Sequence, residues 1–162
     1  MLYTRPHHEK KVAAGLLEIQ VEHYLPMIKT LREWSDRKKY VDLPLFPSYI
    51  FVFVKNMENY YEALELEGVL HYVRIGKEPA RVDEKIVNSV RLSVEGENEI
   101  EVCDEYFPPG KQLVINEGPM TGLACEAVRY KGKEKYLVRV SLLKRCILLT
   151  ISADCLMEAI SN

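Results

Sequence analysis

The stretch "PLFPSYIFVFV" at residues 44–54 constrains the fold more than any other part of the chain, because a strand formed here is apolar on both faces. Side chains alternate between the two faces of a strand. One face carries the aromatic side chains, Tyr49, Phe51 and Phe53. The other carries the aliphatic ones, Ile50, Val52 and Val54. A sheet with one wet side needs only one apolar face, so the second is covered either by the protein's own helices or by a binding partner.

Length and charge limit the class of protein. A chain of 162 residues that is 48% hydrophobic can bury a core in one domain or in two small ones. Its formal net charge of -2 gives no general attraction to nucleic acid, so such binding requires a local basic patch. No apolar run approaches the roughly 20 residues that cross a bilayer, and we expect a cytoplasmic protein without a membrane partner.

The reactive residue types show no pattern typical of a metal site or an enzyme. The cysteines are far apart and form no C-x-x-C pair; they are Cys103, Cys125, Cys146 and Cys155. This spacing predicts reduced, structural thiols. The consecutive residues His7, His8 and Glu9 are poorly spaced to converge on one ion. Because the chain has no glycine-rich phosphate loop, nucleophile elbow or acid/base pair, we predict no catalysis, no metal and no cofactor.

Helices and strands alternate over the first hundred residues, which predicts an α/β sandwich. Apolar residues recur at helical spacing in three segments, Lys10–Val21, Asn56–Glu67 and Asp83–Leu92. Extended segments are predicted around His23–Met27, within 44–54 and at Leu70–Ile75. A charged arm, "KTLREWSDRKKYVDLP" at 29–44, precedes the aromatic strand. The adjacent Tyr60 and Tyr61 cannot share one helix side, so we expect one in the core and one at the surface.

The pattern changes after residue 94. Six acidic residues and no basic one lie between Glu95 and Glu105, and Pro108-Pro109-Gly110 then interrupts any regular element. Beyond it "YLVRVSLL" and "CILLTI" alternate with a period of two, which favours a small β-barrel. The leucines of these segments could instead form an apolar helix face. We therefore predict a first domain at 1–94, an acidic linker at 95–108 and a second domain at 109–162.

Several motifs, in this order, resemble those of the NusG-like transcription elongation and antitermination factors. The first-domain motifs are "YTRPHHEKKVAAGL", "HYLPM", "PLFPSYIFVFV" and "GVLHYVRIGKEPARV". In the second domain "GKQLVINEGPMTGL" and "YLVRVSLLKRCILLTI" are similar to the KOW motif. The forms "PLFPSYIFV" and "YTRPHHEKKV" are closest to specialised members, the UpxY-type antiterminators of surface-polysaccharide operons, with RfaH and LoaP more distant. The implied fold is α+β: an N-terminal NusG-type α/β sandwich followed by a small C-terminal KOW SH3-like β-barrel.

The resemblance also implies a function without catalysis. Such factors bind the clamp helices of the largest RNA polymerase subunit as monomers and suppress pausing and termination. Carried over by the "FPSYIFV" motif, Pro47, Tyr49, Phe51 and Phe53 would line the polymerase-binding depression, while the aliphatic face packs on helices. From the residues alone, helices covering both faces remain an alternative.

Basic residues suggest a second contact, to nucleic acid. By the same resemblance Arg5, His8 and Lys11 would face the non-template DNA strand, or nascent RNA, and the charged arm adds Arg37 and Lys38. Phosphate contacts of this kind depend on salt and carry little sequence information. A solvated helix face is the alternative for these residues.

The second domain supports a rival function. From Lys111 onward it carries eight basic and five acidic residues, and Lys131, Lys133 and Lys135 are concentrated at one predicted turn. An RNA-binding or ribosome-associated module would use this turn, and a ribosomal protein is a candidate partner of the KOW domain. A solvated hairpin tip is the alternative.

Overall fold

The computed structural model describes residues 1–33, 38–95, 100–103, 108–118, 120–140, 145–151 and 153–158. The chain divides into two compact units, Met1–Val82 and Asp83–Asn162. Both combine helix with antiparallel sheet, which the sequence predicted for the first unit, whereas it predicted a β-barrel without helix for the second.

The first unit is built on a four-stranded antiparallel sheet. Its strands are β1 (Leu2–Thr4), β2 (Glu22–Tyr24), β5 (Tyr49–Phe53) and β6 (Val69–Tyr72), in the spatial order β2-β5-β1-β6. Its helices are α1 (Glu9–Glu18) and α2 (Met57–Glu65). Two separate two-stranded ribbons complete the unit, β3 (Met27–Glu33) with β4 (Lys38–Pro44) and β7 (Arg74–Ile75) with β8 (Glu78–Pro79).

Both helices of this unit share a core with one face of the sheet. Val12 and Leu16 of α1 and Ala63 of α2 form a buried cluster with Ile50 of β5. Val52 and Val54 pack against the same cluster. Each fully buried aliphatic side chain of this size stabilises the fold by about 1.5–3 kcal/mol. The aliphatic face of β5 therefore lies on the helices, as expected.

The charged arm forms the β3–β4 ribbon, where the sequence pattern indicated no strands. Lys29 lies opposite Asp42 across the ribbon, and Leu31 lies opposite Tyr40. Both members of the second pair are exposed, at 45% and 67%. Opposite charges and apolar pairs facing each other across two strands stabilise a ribbon although neither strand is buried.

Over its described residues, the second unit combines an α-helix with a six-stranded antiparallel sheet. The helix is α3 (Glu84–Glu95). The strands are β9 (Ile100–Cys103), β10 (Lys111–Ile115), β11 (Ala124–Tyr130), β12 (Lys133–Val140), β13 (Arg145–Leu149) and β14 (Leu156–Glu158), in the spatial order β14-β10-β11-β12-β13-β9. The segment with Ile147 and Leu149 pairs with β12 and β9, so it is strand and not helix, and both side chains are fully buried. Leu142 and Leu143 lie outside the described residues.

Part of the acidic segment is a strand in the structure. Residues 100–103, inside the expected linker at 95–108, form β9 and pair with β13. The acidic composition is tolerated because the strand adds to an available sheet edge and Glu101 finds a counter-ion in Lys131, 2.9 Å away. The two compact units divide between Val82 and Asp83, and α3 of the second unit contacts β12.

Candidate functional site

Aromatic side chains from all four strands of the first sheet lie on one face. The register places Tyr3 of β1 between Tyr49 of β5 and His71 of β6. The Tyr3 ring centroid is 5.1 Å from that of Tyr49 and 5.2 Å from that of His71. In the next row Tyr24 of β2 stacks on Phe51 at 6.2 Å. The aromatic face predicted for one strand therefore extends across the whole sheet.

An open depression of about 600 Å³ lies on this face. Its lining consists of Tyr3, Tyr49, His71, Tyr72, Val73 and Arg74. Tyr72 is otherwise part of the core, where its ring stacks on Tyr60 at 4.3 Å and its hydroxyl donates to the Tyr60 carbonyl. Burial raises the pKa of the Tyr72 hydroxyl to about 12. The depression thus combines aromatic walls with one cation, Arg74.

The four predicted docking residues differ in exposure. Pro47 is exposed, Tyr49 is half-buried and Phe53 is 60% exposed. Phe51 is only 4% exposed, because Phe46 packs against its ring in a T-shaped arrangement and Tyr24 stacks on it. Phe51 therefore supports the surface from within, and the accessible aromatic area comes from its neighbours. Sequence reasoning missed Tyr3 and His71, since only the strand register brings them beside Tyr49.

A buried carboxylate holds the turn that precedes β5. Glu9, 4% exposed, accepts a hydrogen bond of 2.7 Å from the Ser48 amide. The Ser48 carbonyl in turn accepts from the Thr4 amide at 2.8 Å. Ser48 has a φ of 68°, a left-handed conformation that is strained for serine and that these bonds maintain. The first turn of α1 thereby positions Pro47 and Tyr49, a role that the sequence alone did not assign to Glu9.

The structure brings together three of the five basic residues predicted to bind nucleic acid. Arg5 and Lys11 are exposed, and His8 precedes α1 beside them. Lys11 Nζ lies 2.6 Å from the Glu67 carboxylate. This hydrogen bond lowers the pKa of the Glu67 carboxyl, and the charges of His8 and Arg5 act in the same direction. The cluster is therefore cationic but partly neutralised by Glu67.

The other two predicted basic residues belong to the charged arm. Lys38 is exposed at the start of β4, opposite Glu33. Arg37 lies outside the described residues.

The two adjacent tyrosines of α2 divide as helical spacing predicts. Tyr60 is half-buried on Tyr72, whereas Tyr61 is 58% exposed.

The basic turn of the second unit is less available than its composition indicates. Lys131 binds Glu101 and lies over the Tyr130 ring, 4.5 Å from its centroid. Lys135 is 8% exposed and donates to the Thr150 hydroxyl. Of the three lysines, only Lys133 has a side chain with no ion pair or hydrogen bond among the described residues.

Two further classes of site are absent from the described part of the chain. No three or more histidine, cysteine, aspartate or glutamate side chains there converge on a position that could hold a metal ion. Within the same ranges, no helix is both long enough and apolar enough to span a membrane.

Comparison with known proteins agrees with the motifs and with the fold. The family model described as "Transcription termination factor nusG" matches residues 1–91, more than half of the chain. The solved structure "Domain interaction in Thermotoga maritima NusG" is similar in fold, with a TM-score of 0.52 and 19% identity over 99% of this chain and 95% of that one. The MjSpt4:Spt5 complex is matched at a TM-score of 0.33 and 14% identity, over the same shares of the two chains. The chain belongs to the NusG family, whose members are transcription factors and not enzymes.

Proposed function

We propose that this protein is a transcription elongation and antitermination factor that binds the clamp helices of RNA polymerase through the aromatic face of its first sheet. The observation that carries the proposal is the open depression beside Tyr3 and Tyr49, on the opposite side of the sheet from the core shared with α1 and α2. A sheet that needed only internal packing would gain nothing from an aromatic depression open to solvent.

The chemistry of the depression suits a helical partner. Aromatic side chains bury a large area at low entropic cost and dominate the energetics of interfaces. The tip of a coiled coil presents apolar side chains that can enter an aromatic groove, and Arg74 at the wall can pair with an acidic residue of the partner. Pro47 and Phe53 extend the accessible surface on β5 and its preceding turn.

Binding would act on transcription by shifting a conformational equilibrium of the polymerase. A ligand favours the state to which it binds more tightly, and equal affinity for two states changes nothing. We expect this protein to bind the closed clamp of an elongating complex more tightly than free polymerase, which suppresses the states that precede pausing and termination.

The Arg5, His8 and Lys11 cluster would contact the non-template DNA strand, or nascent RNA, of the same complex. Lys11 must then exchange Glu67 for a phosphate, so binding would compete with an existing ion pair. Lys38 and Arg37 of the charged arm are proposed as additional phosphate contacts.

The finer assignment rests on the motifs "PLFPSYIFV" and "YTRPHHEKKV". They support a specialised, UpxY-type antiterminator that acts in the cytoplasm, as a monomer, at particular operons such as surface-polysaccharide clusters. The sheet of the second unit would be its KOW domain and would recruit a further partner, for which a ribosomal protein is our candidate.

The rival function, an RNA-binding or ribosome-associated module, would depend on the basic turn of the second unit. The engagement of Lys131 with Glu101 and the burial of Lys135 weigh against it. The aromatic depression beside Tyr3 and Tyr49, in contrast, is open to solvent.

Calorimetric titration of the full chain with a purified, folded clamp-helix fragment tests the proposal. We expect saturable binding that Tyr49→Ala weakens by about tenfold or more, the loss typical of an interface hot spot. Leu17→Ala is the control, because Leu17 is a large apolar residue, 72% exposed on α1 and outside the aromatic face. Equal affinities of wild type and Tyr49→Ala would refute docking at this face, and binding of RNA instead would favour the rival.

A further inference from the structure

Two cysteines face each other across neighbouring strands of the second unit. Cys103 of β9 lies directly opposite Cys146 of β13 in the antiparallel register. Their Sγ atoms are 3.5 Å apart, with both side chains as thiols. Together they belong to the buried cluster of this sheet, beside Tyr130, Leu137 and Leu148. Residues separated by 43 positions are thus brought to thiol–thiol contact by strand pairing alone.

The backbone geometry of this pair suits a disulfide. Directly opposite residues of an antiparallel sheet have Cα atoms about 4.5–5.5 Å apart. This spacing lies within the range of about 4.4–6.8 Å that disulfides adopt. The sulfur atoms must approach by about 1.5 Å to reach bonding distance, which is about 2.05 Å, and rotation about the side-chain bonds can supply this movement.

The position of the pair in the sheet controls its access to an oxidant. Cys103 and Cys146 are only 8% and 5% exposed, so neither reacts while the strands are paired. However, β9 is the last strand in the sheet order and pairs, within the described residues, with β13 alone. Local opening of one edge strand therefore exposes both thiols without unfolding the rest of the sheet.

The other two cysteines lack this arrangement. Cys125 lies on β11, opposite Leu113 of β10, and is 2% exposed. Burial raises the pKa of its thiol to about 11, which disfavours the reactive thiolate. Cys155 is half-buried in a short 3-10 turn, and the strand register pairs it with no cysteine among the described residues.

We propose that Cys103 and Cys146 are a redox modification site that forms an intramolecular disulfide by exchange with low-molecular-weight disulfides such as oxidised glutathione. The Cys103 thiolate attacks one sulfur of the small disulfide, forms a mixed disulfide and releases one small thiol. The Cys146 thiolate then attacks the Cys103 sulfur, forms the protein disulfide and releases the second small thiol. The protein gives up two electrons and two protons, and the small disulfide takes them up as two thiols.

The bond would convert a reversible edge pairing into a covalent one. In the reduced protein β9 is held by its ladder hydrogen bonds and by side-chain packing, and as an edge strand it opens more easily than the strands that are paired on both sides. In the oxidised protein the cross-link closes the loop between residues 103 and 146 and prevents β9 from leaving β13. Disulfides in reducing compartments are mostly transient and redox-sensing, so the order of β9 would report the thiol–disulfide balance.

Peptide mapping of the full-length, unmodified chain tests the proposal directly. The protein is incubated with oxidised glutathione, quenched with acid, alkylated, digested and analysed by mass spectrometry. We expect a cross-linked peptide pair that contains residues 103 and 146, the loss of two of the four alkylatable thiols, and full reversal by dithiothreitol. Glutathione adducts without the cross-link, a cross-link through Cys125 or Cys155, or four unreacted thiols would each overturn it.

Two variants sharpen the result. Cys146→Ser should stop the reaction at a mixed disulfide that carries one glutathione on Cys103. The double variant Cys125→Ala with Cys155→Ser keeps the pair and should form the same cross-link as the wild type.

Amide hydrogen exchange gives a readout that does not require variants. Oxidation should slow amide exchange in β9. Unchanged exchange in β9 of the cross-linked protein would refute the proposal that the disulfide holds this strand on β13.

Discussion

Tyr3 and Tyr49 lie directly opposite each other on adjacent strands, with ring centroids 5.1 Å apart and ring planes tilted by 57°. Neither residue is near the other in sequence, and both line the same depression. Because the rings touch, each one limits the positions that the other can adopt. Both tyrosines together therefore form the proposed docking surface, and a partner would contact both side chains at once.

The contact between the two rings predicts that Tyr3→Ala and Tyr49→Ala are coupled in binding. Each single variant should weaken clamp-helix binding, and the double variant should weaken it by less than the sum of the two single effects. The loss of binding free energy in the double variant should fall short of the sum of the two single losses by about 0.5–3 kcal/mol, the range of coupling energies between neighbouring residues. Calorimetry on all four proteins measures it, with thermal unfolding to verify that each is folded. Strictly additive effects would mean that the rings act separately.

The buried carboxylate of Glu9 predicts a specific loss of stability. Glu9→Ala leaves the Ser48 amide without its acceptor and should lower the free energy of unfolding by about 1–3 kcal/mol. Glu9→Gln keeps an acceptor oxygen and should lower it less. Urea denaturation measures both, and Glu18→Ala serves as control because Glu18 is exposed at the other end of α1. If Glu9→Ala were as stable as the control, the turn before β5 would be held by other interactions.

Salt dependence tests the basic cluster. We expect Arg5 and Lys11 to neutralise phosphates of single-stranded DNA. Replacing both by alanine should then make the plot of log affinity against log salt concentration less steep. The change in slope should be about 0.7 for each phosphate that is no longer neutralised. Titration of an elongation complex with exposed non-template strand, at several salt concentrations, measures the slope.

Two comparisons make this test selective. Glu67→Gln removes the carboxylate that holds Lys11 and should tighten binding, because Lys11 no longer exchanges one partner for another. Lys77→Ala removes an equal charge from the exposed turn between β7 and β8 and should leave the slope unchanged. A slope that stays the same in the Arg5 and Lys11 double variant excludes the proposed binding to DNA.

The pair of Glu126 and Arg139 predicts acid sensitivity of the second unit. Arg139 Nε lies 2.7 Å from one Glu126 oxygen, and its hydrogen bond is the main reason why the pKa of this carboxyl is below its ordinary value of 4.5. A lowered pKa contributes stability above the unfolded-state pKa, and that stability disappears as the pH falls through the folded-state value. We therefore expect the free energy of unfolding to decrease as the pH falls below 4.5, the ordinary pKa of this carboxyl.

Arg139→Met should remove this acid-dependent decrease and lower stability at pH 7, since Glu126 is then a largely buried charge without its cation. Denaturant unfolding at a series of pH values from about 3 to about 7 measures both effects. Arg129→Met is the matched control, because Arg129 is exposed on β11. Identical pH profiles for the wild type and Arg139→Met would show that the ion pair contributes nothing to folding.

Features with a local cause could be predicted from the amino-acid sequence. The alternation of aromatic and aliphatic residues from Tyr49 to Val54 follows from the period of two that every strand has, and the structure places the aliphatic set on the helices. The same period predicted strands at "YLVRV" and "CILL". The division of Tyr60 and Tyr61 between core and surface follows from the helical period. Family membership likewise followed from short motifs in a defined order.

Features that depend on a partner distant in the chain emerged only in the folded protein. The acidic segment around Glu101 became a strand because β13 offered an edge and Lys131 a counter-charge. Glu9 acquired its role from Ser48, 39 positions away, and Phe51 was buried by Phe46 and Tyr24. The side-chain periods of strands and helices follow from covalent geometry, so a short stretch of sequence is enough to predict them. Strand register and ion pairing, in contrast, form only when segments distant in the chain come together. For the same reason Tyr3, His71 and the opposed cysteines became visible only in the folded chain.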